Sequence, residues 1–127
     1  EAGFLLKNIS VVDVPGAFEI PAAVQRVAAA HQPDGIITLG CVIRGETEHH
    51  HYINMSVSQA LMDLSLTLPM PVVFGLLTPN TLAQAKARSV GRPQYNKGRE
   101  AAAALVAMLE VYGKLKKVFP ASSRQRT

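Results

Sequence analysis

Gly35-Ile36-Ile37-Thr38-Leu39-Gly40-Cys41-Val42-Ile43-Arg44-Gly45-Glu46-Thr47 is a run of apolar and β-branched residues that passes into a polar turn. Nearly every residue of its first part is hydrophobic, with no alternation. That is the pattern of a strand covered on both faces. The turn behind it leads into a stretch with helical periodicity, in which Ile53, Val57, Ala60, Leu61, Leu64 and Leu68 share one face. Thr47 is the natural N-cap for a helix near 48–67, and Pro69 and Pro71 end it.

Two more strands are expected on the same grounds. One is Ile9-Ser10-Val11-Val12-Asp13-Val14 and the other is Pro71-Val72-Val73-Phe74-Gly75-Leu76-Leu77-Thr78. Between the first two lies a helix near 20–31, with Ile20, Ala23, Val24, Val27 and Ala28 on its apolar face and Pro33 beyond its end. A helix near 80–90 follows Pro79-Asn80-Thr81. A last one, about 97–112, carries Ala101, Leu105, Met108, Leu109 and Tyr112, with Gly113 as its stop. Strands alternating with helices require right-handed βαβ crossovers and a parallel sheet. The expected class is therefore α/β, a three-layer αβα sandwich.

A chain of 127 residues, 48% hydrophobic and 17% charged, suits one packed domain rather than a disordered segment. No apolar run approaches the roughly 18 residues of a membrane span, and no secretory leader pattern opens the sequence, so no membrane association is expected. The single cysteine, Cys41, cannot close an internal disulfide, which points to the reducing cytoplasm. The net charge of +4 is uneven. Lys114, Lys116, Lys117, Arg124 and Arg126 lie beyond Tyr112 with no acid among them, leaving 8 basic against 9 acidic residues in the rest. The basicity belongs to a C-terminal tail, residues 114–127, expected to be solvated and partly disordered, and nucleic-acid binding is not expected.

In a parallel α/β sheet, ligands bind beyond the carboxyl ends of the strands. The unusual residues gather there: Val14-Pro15-Gly16-Ala17-Phe18-Glu19-Ile20-Pro21 after the first strand, Arg44 to Tyr52 after the second, and Thr78-Pro79-Asn80-Thr81 after the third. Gly45-Glu46-Thr47 leads into a helix N-terminus, where free N–H groups and the helix dipole favour an anion. The same residues would serve an ordinary strand-to-helix turn. His49, His50 and His51 cannot converge on one metal ion, because successive helical residues point about 100° apart. His49 heads the stripe of Ile53 and Val57, which turns its imidazole toward the strand ends, whereas His51 faces solvent. Histidine as a residue type titrates near neutrality and suits proton transfer. Glu19, at a helix start, fits either a structural or a binding role. Arg88 could grip a phosphate in bidentate fashion, and Lys97 opens a helix against its dipole. Cys41 and Phe74, inside strands, are most simply core. Dinucleotide fingerprints, Walker loops and nucleophile elbows are absent from the sequence.

Taken in order, Val14 to Pro21, Leu39 to Thr47 with His49, Pro71 to Thr78, and Asn96-Lys97-Gly98 resemble the lumazine synthase family. The similarity covers about residues 9–112. It implies a flavodoxin-like topology and the joining of 5-amino-6-(D-ribitylamino)uracil to 3,4-dihydroxy-2-butanone 4-phosphate, with loss of phosphate and water. This is the penultimate step of riboflavin biosynthesis. By position, the resemblance makes His49 the proton-transfer residue and places phosphate at Gly45, Glu46, Thr47 and Arg88. It sets Phe18 and Glu19 against the ribityl chain and Val42 and Ile43 along the pyrimidine edge, and counts Ala17 and Cys41 among the substrate-binding residues. Lys97 and a neighbouring subunit's Phe74 complete the pocket. Neither cofactor nor metal is implied; the partners are the small-molecule substrates and further copies of the chain, as a pentamer or assemblies of pentamers with sites between subunits. Three departures stand out. The family pattern begins with another strand and helix, expected to be missing here. His50 and His51 replace a common aromatic and a common acid. The stretch from Arg88 to Asn96 is one residue longer than in many relatives.

Overall fold

The computed structural model describes residues 2–89 and 96–120. Its elements run α1 (Ile20–His31), β1 (Ile36–Cys41), α2 (His49–Thr67), β2 (Val72–Leu77), α3 (Leu82–Ser89) and α4 (Lys97–Val118), with short 3-10 turns at Leu6–Asn8 and Ala17–Glu19. β1 and β2 pair in parallel, in register from Ile36 opposite Val72 to Cys41 opposite Leu77. The buried Thr38 hydroxyl donates to the Val73 carbonyl at 2.8 Å and accepts from the Gly75 amide at 3.4 Å. It thereby reinforces the ladder at its middle.

Helices cover both faces of this sheet, giving the αβα layering and α/β class that the sequence predicts. On one face Ile20, Val24, Val57, Leu61 and Leu76 form a buried cluster joining α1 and α2 to β2. On the other, Val73 meets Ala101 and Leu105 of α4. Gly75 is what lets α4 come close. A Cβ there would collide with the Thr38 carbonyl oxygen and stand 3.3 Å from Ala101 Cβ.

Three boundaries depart from expectation. Residues 9–14 lie extended and mostly exposed, with Ile9 at 48%, Val11 at 81% and Val12 at 60%, and form no strand. A strand needs a partner's hydrogen bonds, and β1 pairs only with β2, so the sheet has two strands among the described residues. Cys41 and Phe74, expected in the core, are exposed, because the thin sheet leaves those flanks uncovered. Gly113 does not stop the last helix, which continues to Val118. A mid-helix glycine costs about 1 kcal/mol relative to alanine, which leaves the helix free to continue. Residues 121–127 of the basic tail lie outside the described residues.

Candidate active site

Three helices begin at one rim of the sheet. Gly40, near the carboxyl end of β1, packs under Ile20 Cδ1, so α1 starts there. α2 follows the β1 exit directly. Ala101 of α4 lies against Gly75, whereas Leu105, one turn on, lies against Gly35 before β1. α4 therefore runs antiparallel to the strands, with Lys97 toward their carboxyl ends. Helix N-termini carry unpaired N–H groups and positive partial charge, so this rim is suited to anions.

The pairing of the strands continues past their ends. Val42 donates to the Leu77 carbonyl at 2.9 Å and Arg44 to the Pro79 carbonyl at 3.0 Å. These bonds fix the backbone of 42–44 beside 77–79, just before Gly45. The turn from Glu46 to His49 is held by side chains. The Thr47 hydroxyl accepts from the His49 amide at 3.4 Å, and His50 Nδ1 lies 2.9 Å from the Thr47 carbonyl. Glu48, not Thr47, occupies the N-cap position, and its side chain makes no capping bond. Thr47 thus acts one residue earlier than expected.

His49 stands exposed as the first residue of α2, at the head of the stripe that continues through half-buried Ile53 to buried Val57. His50 is the half-buried histidine of the three, and His51 faces solvent with its ring edge-on to Tyr52. The turn bearing Ala17, Phe18 and Glu19 packs against α1 and α2, with Phe18 62% exposed. Glu19 folds back over Gly16, where a Cβ would come within 3.2 Å of its Oε2. Cys41, Ile43, Gly45, Glu46 and Thr47 are exposed along the β1 exit, and Val42 is half-buried. This brings the turn at 17–19, the exit at 41–47 and His49 to one end of the sheet. Phe74 sits opposite Thr38 at mid-strand, not at that end.

Arg88 is exposed in the last turn of α3, where a cation complements the dipole. Lys97 has a local partner, Glu100, at 3.6 Å, which offsets its unfavourable place at a helix start. Sequence reasoning missed Asn96. Its side-chain oxygen caps α4 by accepting from the Arg99 amide at 3.1 Å, and its Nδ2 donates to the Ser89 carbonyl at 3.1 Å. One side chain thus ties the end of α3, one residue from Arg88, to the start of α4 at Lys97. The signal was its place just before a helix, where asparagine is a preferred cap. Residues 90–95 lie outside the described residues.

Elsewhere, Tyr112, Leu115, Lys116 and Phe119 line an open apolar depression at the far end of α4. α4 has 22 residues, hence a length of about 33 Å, and that depression is remote from the rim, with Tyr112 and Lys116 as its polar side chains. Among the described residues no group of three His, Cys, Asp or Glu could hold a metal ion, and no helix is long and apolar enough to cross a membrane.

Residues 1–113 match the family model described as 6,7-dimethyl-8-ribityllumazine synthase. The chain belongs to the lumazine synthase family. It is also similar to the 6,7-dimethyl-8-ribityllumazine synthase of Leuconostoc mesenteroides subsp. mesenteroides, at 40% identity over 111 residues. That match covers 87% of this chain and 70% of the Leuconostoc protein. The family match embraces the rim segments at 14–21, 39–52 and 71–81 together with Asn96-Lys97-Gly98.

Proposed function

We propose that this rim carries out the synthesis of 6,7-dimethyl-8-ribityllumazine, from 5-amino-6-(D-ribitylamino)uracil and 3,4-dihydroxy-2-butanone 4-phosphate, with release of phosphate and water. The observation that carries the reading is the family membership together with the gathering of the turn at 17–19, the exit at 41–47 and His49 at one end of the sheet. In this scheme the amine attacks the ketone and water leaves to form an imine. Phosphate is then eliminated, and the ribitylamino nitrogen closes the ring on the remaining carbonyl with loss of a second water. Each step moves a proton, and His49 is the group that moves it, at an exposed position open to substrate.

The phosphate is held by the N–H groups at Gly45, Glu46 and Thr47, in the turn fixed by the Arg44 bond to Pro79, with Arg88 as its counter-cation. Phe18 and Glu19, with Ala17, hold the ribityl chain. The backbone at Cys41, Val42 and Ile43 meets the pyrimidine edge, and Lys97 with a neighbouring copy's Phe74 closes the pocket. The exposure of Phe74 is consistent with its use by another copy. Holding two substrates in the right orientation supplies much of the acceleration, so neither metal nor organic cofactor enters the scheme. The working form is a homo-oligomer, a pentamer or an assembly of pentamers, in the cytoplasm.

Mixing the purified chain with both substrates and following product absorbance or fluorescence tests this. Product formed above the spontaneous rate is expected. A rate equal to the spontaneous one, from a chain that still binds lumazine, would make it a binding protein instead.

A further inference from the structure

Helix starts lack acceptors for their N–H groups, and a side-chain oxygen usually supplies one. It does so at α3, where the Thr81 hydroxyl accepts from the Gln84 amide at 3.2 Å, and at α4 through Asn96. At α2 the half-buried His50 does the reverse, its Nδ1 lying 2.9 Å from the Thr47 carbonyl oxygen. A carbonyl only accepts, so Nδ1 carries the hydrogen and donates it. This bond caps no amide. Among the described residues the amides of Gly45, Glu46, Thr47 and Glu48 have no hydrogen-bond partner. The bond fixes a peptide plane instead. The Thr47 carbonyl and the Glu48 N–H belong to one planar trans unit and point in opposite directions, so holding the carbonyl aims that N–H away from the ring. We propose that His50 is a positioning residue for phosphate: through the Thr47 carbonyl it presets the backbone amides from Gly45 to Glu48 as a cradle for the phosphate substrate.

The turn Gly45-Glu46-Thr47 lies between two anchors. Upstream, Arg44 donates to the Pro79 carbonyl at 3.0 Å. Downstream, Thr47 is held twice, its hydroxyl accepting from the His49 amide at 3.4 Å and its carbonyl from His50. A slack loop must be ordered as it closes on an anion, and that ordering weakens binding; a loop already held avoids the loss. The exposed turn also leaves open space where a Cβ at Gly45 would stand, so phosphate oxygens can reach its backbone. The role is indirect. Nδ1 is engaged by the carbonyl, so His50 acts through the turn.

This inference rests on the reading above that the turn binds the phosphate substrate. His50→Phe keeps a ring and removes the donor. His50→Asn keeps an N–H on the atom bonded to Cγ, where Nδ1 stands. Steady-state kinetics with both substrates, and with inorganic phosphate as competitor, compare the two variants with the unaltered chain. Losing one neutral hydrogen bond corresponds to roughly 2- to 10-fold in affinity. His50→Phe is expected to raise KM for the phosphate substrate and the inhibition constant of inorganic phosphate by that factor. The loss should not fall on kcat or on KM for the ribitylamino-uracil, and His50→Asn should recover the unaltered values. Nitrogen NMR of the unaltered chain should find hydrogen on His50 Nδ1, a readout that needs no variant to fold. Unchanged phosphate affinity in His50→Phe, a His50→Asn chain as weak as His50→Phe, or a bare Nδ1 overturns the proposal alone. So does a loss confined to kcat, which would make His50 a proton-transfer group. An unaltered chain that forms no product and binds no inorganic phosphate overturns the phosphate reading and this role together.

Discussion

His49 opens α2 and heads the stripe of Ile53 and Val57, and its side chain is exposed at the rim. A proton shuttle there would act in the transition state without holding the ground state. His49→Ala is therefore expected to lower kcat by ~10²–10⁴-fold, with substrate affinities nearly unchanged in a titration. Arg88 has the opposite signature. Losing one charge-assisted contact costs about 1.5–3 kcal/mol, so Arg88→Ala should raise KM for the phosphate substrate roughly tenfold or more and spare affinity for the ribitylamino-uracil. Equal affinity for the phosphate substrate in parent and variant would remove Arg88 from the site. The sequence singles out His49 at the head of an apolar stripe and Arg88 by resemblance. For Asn96 only the capping half was legible, from its place before a helix; its bond to the Ser89 carbonyl spans seven positions that share no helix or strand.

At the scale of elements, β1, β2 and the bodies of the four described helices lie where the apolar runs, the helical periodicity and the turn at 79–81 put them. The misses have separate causes. Residues 9–14 have strand composition, but pairing is a property of the sheet and not of the segment. Gly113 resembles a stop, yet the energy that ends a helix there is small. Tight packing is tested more sharply at Gly75, where the Thr38 carbonyl leaves no room for a Cβ. Gly75→Ala should destabilise the fold by about 1–3 kcal/mol through overpacking. Leu61, buried between α1, α2 and the sheet, should cost about 2–5 kcal/mol when changed to alanine. Urea melts monitored by circular dichroism would read both, and an unchanged midpoint for Leu61→Ala would show that its cluster is not part of the core.

Across the whole molecule, helices cover both faces of a sheet that has two strands among the described residues, yet many large apolar side chains are exposed, among them Phe18, Leu39, Phe74, Tyr52 and Leu66. A family fold that places its rim at the ends of α1, α2 and α4 and leaves such surface uncovered is suited to work as an assembly. The central claim, however, is chemical. The measurement that tests it most directly is the rate of lumazine formation from the two substrates, compared between the unaltered chain and His49→Ala at equal concentration and equal bound substrate. The account predicts product well above the spontaneous rate for the first and a rate lower by ~10²–10⁴-fold for the second. Equal rates in the two proteins, both well above background, would contradict it by moving the proton transfer away from His49.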